Sequence, residues 1–351
     1  MQILSRRTFS GARLCFLFFL LLVVAASQGC AGSHALVART TAELAQSDPA
    51  RIVWFGPANG EDGATLARWR WSVGPPRVLR GTQPAPENVD SVTIVSWNTA
   101  VGDGDIVALV RTLSSSGGPL VLLLQEVYRE GPEVPAQAAP DWSFAGRLGK
   151  DEPTRGDRDI EDTARALGMA LYYVPSMRNG GAPSDEDRGN AILSNVPLRD
   201  LRAIELPFER QRRVAIAATI SGVTTTGAPW SVRLVSAHLD NLGGLKRAWF
   251  AAEYGRARQA RALAGLLQDR EPTVLAGDFN TWFGFSDGAY RETARLFPST
   301  RISDRRPTFR GLLRLDHMFF RLPSGWRMEF HRGSSRFGSD HYPLLGTLRL
   351  N

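Results

Sequence analysis

Thr273-Val-Leu-Ala-Gly277-Asp278-Phe279-Asn280 is the stretch on which the reading of this chain turns. Thr273–Leu275 has the β-favouring apolar character of a buried strand. Gly277 then breaks the run, so Asp278 and Asn280 fall where the chain leaves a sheet. Ligands of α/β folds collect at such strand ends. Taken singly, an Asp at this position is better explained as a turn or helix-capping residue.

The same design recurs five more times along the chain. Val92–Trp97 runs into Asn98 as Ser96-Trp97-Asn98, and Leu122-Leu-Leu runs into Gln125-Glu126. Ser236-Ala-His238-Leu-Asp240 precedes the opening stretch, while Leu315-Asp316-His317 and Ser339-Asp340-His341 follow it. Together these stretches supply a coherent set of groups. Glu126, Asp278, Asn280 and Asp340 are hard oxygen ligands of the kind that Mg²⁺ or Mn²⁺ requires. His238 and His341 add imidazoles that titrate near neutral pH. Hydrolysis of a phosphoester needs a metal to neutralise developing charge, a base for water and donors for the phosphate, and each is represented. No closely spaced pair of His or Cys ligands favours zinc. His34 and His331 stand alone and carry no expectation of function, and His317 reads as a packing or supporting residue.

Further strands are expected at Ala191–Leu193, Val214–Ile220, Val232–Ala237, Leu315–Phe320 and Leu344–Leu348. Helices are expected at Asp105–Leu113 and around Leu245–Gln268, where Ala260, Leu263, Ala264 and Leu267 recur at helical spacing. Strands with interspersed helices but no strict βαβ rhythm point to a mixed α/β sandwich. Asp151–Asp187, rich in charge and Gly, reads as a surface insertion or loop near the site.

The 351 residues are 43% apolar and 22% charged, an ordinary balance for a globular protein with a sizeable core. Formal net charge is +7, falling to +4 (39 basic against 35 acidic) over residues 31–351. Almost all of the basic residues are Arg, with Lys150 and Lys246 the exceptions, so basicity is weak support for a polyanionic partner. Cys15 and Cys30 are the two cysteines; the rest of the chain has no disulfide framework and no thiolate site.

Leu14–Ala26 is an unbroken apolar run, too short for a bilayer span of about 20 residues, with a basic stretch before it. Residues 1–30 therefore read as an export signal. Ser5-Arg6-Arg7-Thr8-Phe9 resembles a twin-arginine signal, and Gly29-Cys30 resembles a lipoprotein cleavage site. Lipidation of Cys30, with membrane attachment, and plain cleavage nearby both remain open. Residues 31–90 read as an N-terminal extension with a strand near Arg51–Phe55, helical turns near Ala64–Trp71 and a Pro-rich linker at Gly74–Glu87.

The six motifs in order, from Asn98 to His341, resemble the endonuclease/exonuclease/phosphatase superfamily, and the resemblance covers residues 91–351. It implies a four-layer α/β sandwich with two central mixed sheets flanked by helices. It also implies Glu126 as principal metal ligand, with Asn98 and Asp340 beside the ion and phosphate. Asp278 and Asn280 would orient the attacking water. His341 would be general base or phosphate contact, held in its tautomer by Asp316. His238 would be the second catalytic histidine. Arg188 and Asn190 lie in a stretch that is also similar to the family but are assigned no role.

The same resemblance sets aside the abasic-site endonucleases, which usually lack the histidine at position 238. Deoxyribonuclease-like and sphingomyelinase-like branches both stay open, as does a catalytically dead binding protein. A nucleic-acid phosphodiester is favoured over a phospholipid or small phosphoester as substrate. The aromatics of Thr281-Trp282-Phe283-Gly284-Phe285 could stack on bases or dip into a lipid interface, but packing onto the core is the plainer expectation. Trp249-Phe250 invites the same reading.

Overall fold

The computed structural model describes residues 35–39, 52–58, 60–113, 117–135, 159–178, 186–241 and 249–350. Residues 1–30, where an export signal is expected, and His34 lie outside them, as do the side chains of Trp249 and Phe250 and parts of Asp151–Asp187.

Two seven-stranded mixed sheets form the centre. One contains β1 (Leu36–Arg39), β2 (Val53–Pro57), β8 (Arg199–Glu205), β9 (Val214–Val223), β10 (Pro229–His238), β11 (Thr273–Asp278) and β12 (Asp316–Arg321), in that spatial order. The other runs β13 (Arg327–Arg332), β14 (Leu344–Arg349), β4 (Ser91–Asn98), β5 (Leu120–Glu130), β7 (Glu186–Ser194), β6 (Ala170–Arg178) and β3 (Arg77–Leu79). The helices are α1 (Gly60–Arg70), α2 (Ile106–Leu113), α3 (Ile160–Leu167), α4 (Trp249–Leu266) and α5 (Gly288–Ala294).

The strands are apolar on successive residues because both of their faces are buried. Val121 and Leu123 of β5 join Ile216, Leu234 and Val274 in the core between the sheets. Leu122 and Leu124 point the other way, onto Leu109 of α2 and Ile160 of α3. Leu275 and Val235 likewise back onto Ala260 and Leu263 of α4 and Ala289 of α5. The layers are thus helix, sheet, sheet, helix, the sandwich implied by the resemblance.

Two regions differ from the sequence expectation. Within Asp151–Asp187 the chain forms α3 and β6 rather than a continuous surface loop. Asp159 caps α3 by accepting from the Glu161 and Asp162 N–H groups, and Gly168 ends it at φ 62°. Its charges hid a helix whose Ile160 and Ala164 are core residues. Within residues 31–90, β1 and β2 extend one sheet beside β8, and Arg77-Val78-Leu79 pairs antiparallel with β6. Pro75 and Pro76 precede that short strand, so no ladder donor is lost inside it.

Register brings the motif ends to one edge. Asn98 lies opposite Gln125 across β4 and β5, and His238 opposite Asp278 across β10 and β11. Asp316 opens β12 opposite Asp278, and β14 starts opposite Ser96, with His341 just ahead of it.

Candidate active site

Asp278 stands at the centre. Its Oδ1 accepts the Asn280 N–H (2.8 Å), a turn that the φ of 50° at Asn280 allows. Its Oδ2 accepts from Asn98 Nδ2 (3.0 Å) and lies 3.7 Å from His238 Nε2 and 3.8 Å from His341 Nε2. Burial and the charge of Asp316 raise the Asp278 pKa to about 6, against the pull of His341, the Asn280 N–H and Asn98. Asn280 turns its amide to the Leu239 carbonyl (3.0 Å), tying the Asp278 loop to the His238 loop.

The two histidines are set oppositely. His341 Nδ1 meets Asp316 Oδ2 at 2.8 Å, and Phe309 covers its ring at 4.9 Å between centroids. Burial disfavours the imidazolium, but Asp316, with Asp278 and Asp340, outweighs burial and raises the pKa to about 10. His238 Nδ1 faces Arg213 Nη1 at 3.1 Å. A guanidinium can only donate, so Nδ1 accepts and the proton of the neutral ring sits on Nε2. Burial first, then Arg213, His341 and Arg188, hold the His238 pKa well below the usual imidazole value. One ring is therefore a cation and the other a neutral donor, both facing Asp278 beyond direct hydrogen-bond distance.

Glu126 and Asp340 form the wetter side, with side chains 25% and 32% exposed. Glu126 sits at φ 51° where the β5–β7 register shifts between Leu124 and Val127. This bulge re-aims the carboxylate out of the sheet. Its Oε1 is 3.8 Å from His238 Nε2, and Asp340 Oδ1 is 3.8 Å from His341 Nε2. Arg310 approaches Asp340 Oδ2 at 3.5 Å.

Ligand atoms of Asp278, Asp316 and His341 also lie within 4.8 Å of one another. Within this trio Asp316 and His341 already use their facing atoms on each other, and Asp278 Oδ2 stands 3.8 Å from the far nitrogen of the ring. Glu126 and Asp340 turn partly exposed carboxylates to the site, hard oxygen ligands of the kind that fit a divalent ion. Asn98 stands beside them with its Nδ2 on Asp278 and its Oδ1 accepting the Ala100 N–H at 3.0 Å.

All eight residues singled out from the sequence thus lie at this edge. His317 packs instead: its Nε2 meets Thr281 Oγ1 at 2.7 Å among Tyr290, Phe285 and Phe319. Asn190 donates to the Val214 carbonyl (2.9 Å) and joins the sheets, while Arg188 is buried against Met177. The sequence reading missed Arg213, Phe309 and Arg310. The signal for Arg213 was the Arg210-Gln-Arg-Arg213 cluster directly ahead of an apolar strand.

Known proteins resemble this chain in sequence and in fold. A UPF0294 protein from Vibrio parahaemolyticus is 34% identical over 97 residues, which are 26% of this chain and 34% of that protein. The chain thus matches about a third of that relative's length. An endonuclease/exonuclease/phosphatase from Beutenbergia cavernae has a similar structure, with a TM-score of 0.53 at 19% identity over 75% of this chain and 72% of that one. The human Nocturnin catalytic domain aligns with a TM-score of 0.48 at 17% identity, over 78% and 97% of the two chains. The Endonuclease/Exonuclease/phosphatase family pattern matches residues 95–341, the span that carries every residue of the site, and the chain belongs to that family.

Proposed function

We propose that this protein is a Mg²⁺-dependent phosphodiesterase that cleaves nucleic acid outside the cytoplasm. Phosphoester hydrolysis is the chemistry of its family. The observation that carries the reading is the convergence of His238 Nε2 and His341 Nε2 on Asp278 Oδ2, at 3.7 and 3.8 Å. A phosphoryl oxygen or a water seated over these atoms, not between them, would lie within reach of three groups of different proton affinity. Asp278, raised to about 6, is ionised at neutral pH and takes the proton of the attacking water. His341 as imidazolium and His238 through its Nε2–H donate to oxygens on which charge develops. Glu126 and Asp340, with Asn98 beside them, would hold Mg²⁺ or Mn²⁺, which when bound neutralises phosphoryl charge.

The preference for a polyanion rests on local rather than total charge. Residues 301–314 contain Arg301, Arg305, Arg306, Arg310 and Arg314 against Asp304 alone. The same segment carries Phe309 on His341 and Arg310 on Asp340, so this charge borders the site. A long phosphodiester would meet it on either side of the scissile group. The N-terminal pattern supports export, with Cys30 as the candidate lipid attachment point.

Hydrolysis of plasmid DNA, RNA, sphingomyelin, bis-p-nitrophenyl phosphate and p-nitrophenyl phosphate, with Mg²⁺ and with EDTA, tests the reading. Metal-dependent cleavage of DNA or RNA, lost in Glu126→Ala, is the expected result. Turnover of sphingomyelin alone would overturn the nucleic-acid preference, and full activity of Glu126→Ala would overturn the site.

A further inference from the structure

Trp282 lies two residues beyond Asn280 in the loop that leaves β11. Its indole Nε1–H donates to the Asn241 carbonyl at 3.0 Å, so the ring bridges the Asp278–Asn280 loop and the His238–Asn241 loop. That is the only polar atom of an indole, and the protein uses it. The residue is nevertheless 38% exposed, and with its N–H engaged an indole offers solvent only hydrocarbon and π-surface. Its loop is pinned on both flanks. The Trp282 N–H meets the Asn280 carbonyl (3.0 Å), and Thr281 Oγ1 donates to the Arg314 carbonyl (2.9 Å). Phe285, by contrast, packs on Tyr290 and His317 as the plainer expectation required, with the Arg305 and Arg314 guanidiniums each 5.3 Å from its ring centroid.

We propose that Trp282 is the stacking platform for the nucleobase of a nucleotide adjoining the scissile phosphate. The inference rests on the nucleic-acid reading and deepens it. An aromatic ring fixed before the ligand arrives loses little conformational freedom on binding. Any base has a π-face, so such a platform holds a nucleotide without selecting its sequence. The exposed Arg305, over Phe285 at the far end of this loop, suits a neighbouring phosphate. A lipid surface would be met differently. A ring that dips into a bilayer interface keeps its N–H for the wet headgroup layer, whereas this N–H is turned into the protein and the ring lies half-sunk.

The test uses the full chain with Mg²⁺ and short oligonucleotides holding one cleavable linkage. Adenine or a tetrahydrofuran abasic residue is placed on one side of that linkage or the other. Wild-type protein is expected to lose about 10-fold in kcat/KM when the stacked base is removed, the scale of one base–aromatic contact. Trp282→Ala is expected to cleave the two substrates at the same rate, and Trp282→Phe to keep most of the discrimination. A ratio in Trp282→Ala equal to that of wild type would overturn the proposal, as would a wild type indifferent to the base on both sides. Loss of binding to sphingomyelin vesicles in Trp282→Ala with the base ratio intact would also overturn it, in favour of lipid contact. A wild type that cleaves none of the oligonucleotides would overturn the nucleic-acid reading itself and the stacking role with it.

Discussion

His341 Nδ1 lies 2.8 Å from Asp316 Oδ2, and both side chains are buried. Asp316 opens a strand of one sheet and His341 stands just ahead of a strand of the other, so this contact also spans the sandwich at the site. Asp316 acts through His341: it fixes the ring and holds its proton. Asp316→Asn keeps the shape but removes the charge, so kcat should fall roughly 100-fold or more while the fold survives. Turnover at saturating substrate, with a melting curve beside it, checks this; a wild-type kcat would remove Asp316 from the mechanism.

The pH profile follows from two displaced groups. Asp278 works as the carboxylate, and its pKa is raised to about 6, so activity should climb as pH rises through about 6. His341 works as the imidazolium, and its pKa is raised to about 10, so activity should fall as pH rises through about 10. Between the limbs both groups are in their working forms, and log kcat/KM should be flat. A plateau extending well below pH 6 would exclude Asp278 as the base.

Arg213 is buried with its Nη1 3.1 Å from His238 Nδ1. Replacing it by Met leaves the imidazole free to place its proton on either nitrogen and to turn away from Asp278. A drop of about 10- to 100-fold in kcat, with KM changing less, is expected for a misoriented donor. Arg213→Lys retains a cation that can donate to Nδ1 and should recover part of the loss. If both variants lose stability in proportion to activity, the contact is structural and the positioning role is wrong.

Much of this site could be read because Asn98, His238 and Asp278 end apolar strands and Glu126 follows an apolar run at a bulge within β5, a pattern visible along the chain. Arg213 escaped because β9 runs antiparallel and enters the edge at its start, so its polar cluster precedes the strand. Phe309 and Arg310 lie on a turn joined to the site by an isolated bridge from Phe309 to His341 and by Arg310 on Asp340, with no apolar strand to announce them in sequence. The strands near Val92, Leu120, Val214 and Thr273 were legible from continuous apolar runs. β6 was less so: Tyr172 and Tyr173 carry hydroxyls, and its neighbours in sequence are charged. Asp187 looked like surface charge, yet it is buried, bonded to Arg129 and accepting from Tyr173 and the Gly74 N–H. Burial of a charge depends on partners distant in sequence, and here one of them comes from residues 31–90.

Gly277 offers the sharpest test of how the site is held. Its φ is 152°, and an added Cβ would stand 1.8 Å from the Ala237 carbonyl oxygen on the neighbouring strand. No side-chain rotamer relieves that contact, because both atoms belong to backbone whose register sets His238 opposite Asp278. Gly277→Ala must therefore separate β10 from β11 at the site or twist residue 277 away from its conformation. Either route should cost about 3 kcal/mol or more, read as a fall in Tm of roughly 6–12 °C for a domain of this size. Turnover of the folded fraction should fall as well, since His238 and Asp278 are displaced together. A stable, fully active Gly277→Ala would show that the 3.7 Å spacing of His238 Nε2 from Asp278 Oδ2 is not what the reaction requires.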